Sequence, residues 1–390
     1  MLTIVIIAFN RLDSLKRLLS SISLAEYAQK ANLIISIDKG NDNQDVLEYS
    51  NKFIWNNGEK IVIYQSENLG LRKHVLKCGD LTYKYGNIIM LEDDLFVAPG
   101  FYNFAQSAIK YYENNDKIAG ISLYSHKRNV HNNKIFYNLR DESDIFFMQF
   151  PSSWGQSWTC KQWDSFKKWY KNNCNELKNK KNIPDNVLNW PESSWLKYFI
   201  SYMIETNKFF VYPNESFSTN YGDKGTHFSM DTGIYQVPLT SRKDVNYKFK
   251  DINDSISIYD AFFENMKIID LYNNKINKKQ VLIDFYGQKY NKIKTKYLLT
   301  SKRLDYEILK SYDGSLIPYE LNIINQISGN DIFLYNISKD VSNKKIFTIN
   351  SKIKSLNKIV NYASTKDLIQ TLKYNYLIKI KRKIRRKISD

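Results

Sequence analysis

The chain has 390 residues, 43% of them hydrophobic and 15% aromatic, with 57 Lys and Arg against 40 Asp and Glu and a formal net charge of +17. That length and apolar content exclude a disordered chain and leave room for two globular domains. The positive balance points to polyanionic partners: nucleotides, nucleic acid or an anionic membrane surface.

Three cysteines, Cys78, Cys160 and Cys174, share no C-x-x-C spacing and leave an odd thiol. This argues against a disulfide framework or a structural zinc site and suits a reducing compartment. No apolar run reaches the roughly 18 residues that a spanning helix needs. The first apolar run ends too early for a secretory signal. A cytoplasmic protein is the expectation.

Leu2–Phe9 (LTIVIIAF) reads as a first strand buried on both faces, followed by Asn10-Arg11. Leu15, Leu18, Leu19 and Ile22 then recur at helical spacing and bury one face, with Asp13 or Ser14 expected as the N-cap. Asn32–Asp38 (NLIISID) and Lys60–Tyr64 (KIVIY) are the next strands, the second followed by Asn68-Leu69-Gly70-Leu71-Arg72. A helix over about 73–85 leads to Ile88–Leu91, a short run suited to the middle of a parallel sheet. Strand–helix alternation with short connections calls for parallel strands and right-handed crossovers.

Immediately after Leu91 come Glu92, Asp93 and Asp94. Three acids cannot continue into a core, because unpaired buried charge is too costly. They belong just past the strand's carboxyl end, where open α/β sheets take their ligands. Crowded carboxylates raise each other's pKa, and a hard divalent cation relieves that repulsion while sharing its remaining positions with phosphates. A metal–diphosphate site is the expectation, against a plain solvated acidic turn. Asn10/Arg11, Asp38, Asn68/Arg72 and Glu92–Asp94 end the four expected strands and would meet on one rim. Neither a G-x-G-x-x-G after the first strand nor a G-x-x-x-x-G-K-[ST] is present, so a dinucleotide fold and a P-loop are unsupported.

A helix through Phe104, Ala108, Ile109 and Tyr112 precedes a strand at 118–124, and 126–145 reads as a polar excursion. The stretch from Phe146 is rich in tryptophan. Trp163 and Trp169, at helical spacing, read as core; Trp154-Gly155, in a serine-rich turn, reads as a platform for a sugar ring. A helix over 195–206 and a strand over 209–212 lead to a loop with two glycines, 218–228, expected to close over a ligand. His227 in that loop is one of four histidines and a candidate for a metal or phosphate role. Beyond it, 280–286, 297–300, 331–337 and 345–349 are expected strands of a smaller α/β region. The end of the chain, Lys379–Lys387 (KIKRKIRRK), holds seven basic residues. With interleaved Tyr and Ile it reads as an amphipathic helix on an anionic bilayer rather than a nucleic-acid arm.

The ordered motifs IVIIAFNR, ISIDKG, NLGLRK, IIMLEDDLFVAPGF, FPSSWGQSW and VYPNESFSTNYGDKGTHF resemble those of GT-A fold glycosyltransferases. The likeness is to bacterial polysaccharide glycosyltransferases related to N-acetylglucosaminyltransferase I, over roughly residues 1–235. The resemblance implies a Rossmann-like, mostly parallel α/β domain over 1–240, leaving 241–370 as an accessory α/β region and 371–390 as the basic tail. It also implies a nucleotide-sugar donor, usually a UDP-sugar, a Mn²⁺ or Mg²⁺ cofactor, and inversion at the anomeric carbon.

Carried over by position, Asp94 would ligate the metal, with His227 as a further ligand, Asp93 would hold the ribose side and Glu92 would touch the donor sugar. Ala8, Asn10 and Arg11 would line the nucleotide pocket, Asp38 would face the base and Arg72 would balance phosphate charge. The loop Tyr221–His227, with Gly225, would order over the donor, and Trp154-Gly155 would flank sugar or acceptor. The family's aspartate after a tryptophan is absent from Trp190–Tyr198 (WPESSWLKY). Glu192 is the nearest acid and the expected base, with Asp223 and Asp231 as alternatives. The acceptor implied is a glycan, lipid-linked, in capsule or O-antigen synthesis at the inner face of the cell membrane. The competing readings are a sugar-1-phosphate nucleotidyltransferase, whose glycine-rich first loop is lacking, and a non-catalytic carbohydrate-binding or scaffold homologue.

Overall fold

The structure, a computed structural model, describes residues 2–177, 180–223, 233–243, 246–271 and 280–347. Asp231, Gly225, His227 and the basic tail lie outside the described residues. Fifteen strands run in chain order: β1 (Thr3–Ala8), β2 (Leu33–Ile37), β3 (Lys60–Tyr64), β4 (Ile88–Glu92), β5 (Leu95–Val97), β6 (Ile118–Ser122), β7 (Ile145–Met148), β8 (Gln156–Trp158), β9 (Phe209–Pro213), β10 (Ser218–Asn220), β11 (Ile258–Tyr259), β12 (Val281–Asp284), β13 (Tyr297–Thr300), β14 (Tyr306–Tyr312) and β15 (Ile332–Asp340).

Nine of them form one sheet in the order β11-β7-β9-β6-β8-β4-β1-β2-β3. The four expected amino-terminal strands are all mutually parallel; β1 lies between β4 and β2, and every one of its residues is buried. Its side chains alternate between two cores. Ile4 and Ile6 pack with Leu15, Leu18, Leu19 and Phe104 on one face. Val5 and Ile7 pack with Val75, Phe166 and Phe199 on the other. Helices on both faces explain why the parallel strands read as unbroken apolar runs. The α/β class with a mostly parallel, helix-flanked sheet is what the sequence led us to expect.

The structure departs from expectation locally. The helix Leu12–Ser23 has Arg11, whose side chain offers no acceptor, at its N-cap and no side-chain cap, so Asp13 and Ser14 lie inside its first turn. The helix expected over 73–85 is two, Gly70–Gly79 and Thr82–Tyr85. Gly79 lies so close to Trp163 that a Cβ there would meet its ring at 2.0 Å, and Asp80 accepts from the Trp163 indole at 2.9 Å. Trp163 is fully buried, and Trp169 packs partly buried against the same core. The helix Cys160–Asn173 opens with a reciprocal capping box between Thr159 and Gln162.

The short β8 runs antiparallel between β4 and β6 and joins the parallel half of the sheet to the rest. A separate four-stranded sheet, β12-β13-β15-β14, covers 281–340. It shares the core of Val5 and Ile7 through Ile283, Phe285, Leu299 and Leu334. Ile258–Tyr259, beyond residue 240, edges the large sheet beside β7. Lys345–Phe347 form a turn rather than the start of a strand. Among the described residues no helix is long and apolar enough to cross a membrane.

Candidate active site

Asp93 and Asp94 occupy the two-residue turn between β4 and β5. The turn is held from two sides. Asp93 N–H donates to Ile7 O at 3.1 Å, extending the β1–β4 ladder, and Tyr221 N–H donates to Asp94 O at 2.9 Å. The second contact exists because β10 pairs antiparallel with β5, Asn220 opposite Leu95. The beginning of the glycine-containing loop is thereby brought against the acids.

Arg11, two residues past Phe9, divides its guanidinium between these carboxylates. One nitrogen pairs with Asp93 Oδ1 and the other donates to Asp94 Oδ2 at 3.1 Å. Phe9 N–H lies 3.4 Å from Asp93 Oδ2. Asp94 Oδ1 is buried and has no hydrogen-bond partner among the described residues. Burial works against the Arg11 charge, but Asp93 and Asp94 more than offset it and hold its pKa above the ordinary value. Burial also pushes Asp93 up to about 6, with Arg11 pulling the other way. Glu92 sits opposite Ile7 in β1; burial, then Asp94 and Asp93, push it up to about 8.

Ala8 is buried at the end of β1, whereas Asn10 is exposed. At the end of β2, buried Asp38 accepts from Leu69 N–H at 2.8 Å, Gly70 N–H at 2.9 Å and Lys39 N–H at 3.1 Å. The carboxylate thus anchors the loop from β3 to its helix. Asn43 was not singled out from the sequence. Fully buried, it donates to Phe9 O at 2.7 Å and Asp38 O at 2.8 Å, and accepts from Tyr64 OH at 3.0 Å. It ties the ends of β1, β2 and β3 together. Its position just before the helix Gln44–Lys52 was the available signal.

Arg72 and Glu192, expected in separate roles, belong to one cluster. Arg72 donates to Tyr198 OH at 2.9 Å and lies 3.9 Å from Glu192. Glu192 accepts from Lys197 Nζ at 2.9 Å and from Tyr198 OH. Hydrogen bonds from Tyr198 and Lys197 hold Glu192 below the usual carboxylate range. Its side chain is 74% exposed while that of Lys197 is 8% exposed, so the carboxylate faces outward over a buried ammonium. No hydrogen bond or ion pair joins this cluster to Glu92–Asp94 among the described residues.

Asp223 lies on the acid-turn side. Ser14 Oγ donates to it at 2.6 Å and Arg17 pairs with it. Trp154, half-buried, packs between Tyr124 and Tyr235, with ring centres 4.7 and 4.6 Å away. Gly155 has φ of +92°, and a Cβ there would meet Ser218 Oγ at 2.9 Å. Only a residue without a side chain lets the chain pass between β8 and β10 there.

The donor set suits a hard cation. All the acidic ligands are carboxylate oxygens, and the buried orphan on Asp94 is an acceptor awaiting a partner. Among the described residues no three His, Cys, Asp or Glu form a closed metal centre. Mg²⁺-type sites need none, since they use one or two carboxylates and complete the shell with phosphate and water.

No family model and no curated relative matches the chain. Solved structures are similar over part of the chain. S. aureus TarS 1–349 is 11% identical with a TM-score of 0.34, over 56% of this chain and 60% of that one. The same TarS fragment in complex with UDP-GlcNAc gives 12% and 0.33, over 56% and 58%. The mannosyltransferase PcManGT from Pyrobaculum calidifontis, in complex with GDP-Man and Mn²⁺, gives 9% and 0.30, over 43% and 46%. The chain thus spans less than two thirds of each.

Proposed function

We propose that this protein is a glycosyltransferase that moves a sugar from a nucleotide-diphosphate donor, a UDP-sugar in the first instance, to a hydroxyl of a glycan acceptor with inversion. The observation that carries the reading is the acid turn at the carboxyl end of β4, with its buried, unpartnered Asp94 oxygen. It stands beside β1 and next to the tethered start of the loop at Tyr221. Asp94 would hold Mn²⁺ or Mg²⁺, and such an ion neutralises a departing diphosphate, while Glu92 would touch the donor sugar.

The chain's own groups divide the remaining work. Arg11 and Asp93 line the nucleotide side, and the anchored Asp38 shapes the pocket floor beneath Leu69–Gly70. Trp154 offers a partly open ring to sugar or acceptor. Glu192 is the base we propose, because its exposed carboxylate is ionised at neutral pH and can accept the proton of an acceptor hydroxyl. Asp223, on the acid-turn side and paired with Arg17 and Ser14, is the alternative. We carry the acceptor forward as a lipid-linked capsule or O-antigen intermediate, reached by docking of the basic tail on an anionic leaflet. Deleting 375–390 without reducing sedimentation on anionic vesicles would overturn the docking.

The deciding experiment is calorimetric titration with UDP, GDP and CDP, each with Mn²⁺ and with chelator. Tight, metal-dependent binding of one diphosphate, lost in Asp94→Ala, is the expected result. Binding of none would reduce the acid turn to surface decoration.

A further inference from the structure

Resting on the reading of the acid turn as a metal–diphosphate site, we propose that Arg11 is a built-in counter-ion that makes divalent-cation binding conditional on the nucleotide diphosphate. The guanidinium is shared between Asp93 and Asp94, one nitrogen each. It therefore occupies one oxygen of the carboxylate whose other oxygen is the open one. A divalent cation arriving alone would share Asp94 with a positive charge already in place. Like charges repel several times more strongly in a partly desolvated pocket than in water.

A diphosphate changes this balance. It brings negative charge and planar oxygen pairs that match the guanidinium fork as well as a carboxylate does. Arg11 can then trade Asp94 for phosphate, which frees both oxygens of the carboxylate for the cation. Of the two cations on the first helix, Lys16 pairs with Asp13 at 3.6 Å and Arg17 is engaged with Asp223 and with the Tyr221 ring at 3.6 Å, so this exchange falls to Arg11. By linkage the nucleotide tightens the cation by the same factor as the cation tightens the nucleotide.

The test is Mn²⁺ titration by calorimetry, without and with saturating UDP, on the full chain and on the variants R11Q and R11K. Free Mn²⁺ should bind R11Q about tenfold more tightly than the unaltered protein, and the enhancement by UDP should shrink by a similar factor. R11K, which keeps the charge, should behave like the unaltered protein towards free Mn²⁺. If R11Q does not fold, the double variant R11Q/D93N removes the pair together. It should bind free Mn²⁺ no more weakly than the unaltered protein despite losing a carboxylate, and weaker binding would overturn the role of Arg11. The inference is also overturned if R11Q gains no affinity for free Mn²⁺ while Asp94→Ala abolishes Mn²⁺ binding in the presence of UDP. Mn²⁺ binding with UDP that is absent, or indifferent to Asp94→Ala, instead overturns the site reading itself, and the Arg11 role with it.

Discussion

The guanidinium of Arg17 lies 3.6 Å from the centre of the Tyr221 ring while it pairs with Asp223 two residues on. One side chain on the first helix therefore grips the strand end that carries Tyr221 N–H to Asp94 O. The grip reaches the acid turn through backbone, without touching a carboxylate of the turn.

Arg17→Ala should weaken metal-dependent UDP binding by a few-fold, and Arg17→Lys by less. The reason is that the Asp94 carbonyl loses a fixed partner rather than a ligand. The Arg17 and Asp223 side chains are about a quarter exposed, so solvent screening keeps the stability loss near 1 kcal/mol or below. Paired calorimetry and thermal unfolding separate the two effects. A loss of fold with no change in binding per folded molecule would contradict the positioning role.

Glu192→Gln should lower kcat by about 10²–10⁴-fold, the usual worth of a general base, and leave metal-dependent UDP affinity unchanged. The amide keeps one of the two oxygens that accept separately from Lys197 and Tyr198 and cannot take up a proton. Full turnover in the glutamine variant would remove Glu192 from the mechanism.

Gly155→Ala should destabilise the protein by about 1–3 kcal/mol. The added Cβ must adopt a left-handed φ and meets Ser218 Oγ at 2.9 Å and Leu123 Cβ at 3.2 Å. The strain falls beside Trp154, whose carbonyl accepts from Ser218, so tryptophan fluorescence should change together with the unfolding midpoint. An unchanged midpoint would show that the chain can shift there at no cost.

Acid should work against the fold through its desolvated imidazoles, which among the described residues are His74, His126 and His131. Burial, with His131 and Lys127 nearby, pushes His126 down to about 3, and burial pushes His131 down to about 4. His126 is ringed by Tyr124, Phe150, Trp154, Tyr212 and Phe263. Between those values and about 6.5 the unfolded chain binds protons that the native chain does not. The histidine contribution to stability therefore falls as pH drops from about 6.5 towards 4, by up to about 1.4 kcal/mol per pH unit for each imidazole, while the raised carboxyls of Glu92 and Asp93 contribute with the opposite sign. Denaturant unfolding across this range should show a shallower slope for His126→Phe, and an identical slope would exclude His126 as a source.

The parallel half of the fold was legible because a strand buried on both faces must be written as a run of apolar residues, whatever its neighbours. The place of Glu92–Asp94 at the end of a strand was legible for a related reason: three charges after such a run belong where it leaves the core. Asp38 and Arg11 were visible as strand-end residues, but their partners were not. β5, β8 and β10 have three residues each, too few to show a period, and their pairing sets where Asp94 meets Tyr221 and Gly155 meets Ser218. Glu192 and Arg72 come together because the helices Gly70–Gly79 and Trp195–Glu205 pack side by side. Arg11 chooses both aspartates because β1 and β4 are neighbours in the sheet. Local periodicity and the cost of burying charge thus determine the strands and the rim from the sequence alone. Which charge answers which is decided only in the tertiary structure, because ion pairs and short ladders depend on distances between segments that are remote in the chain.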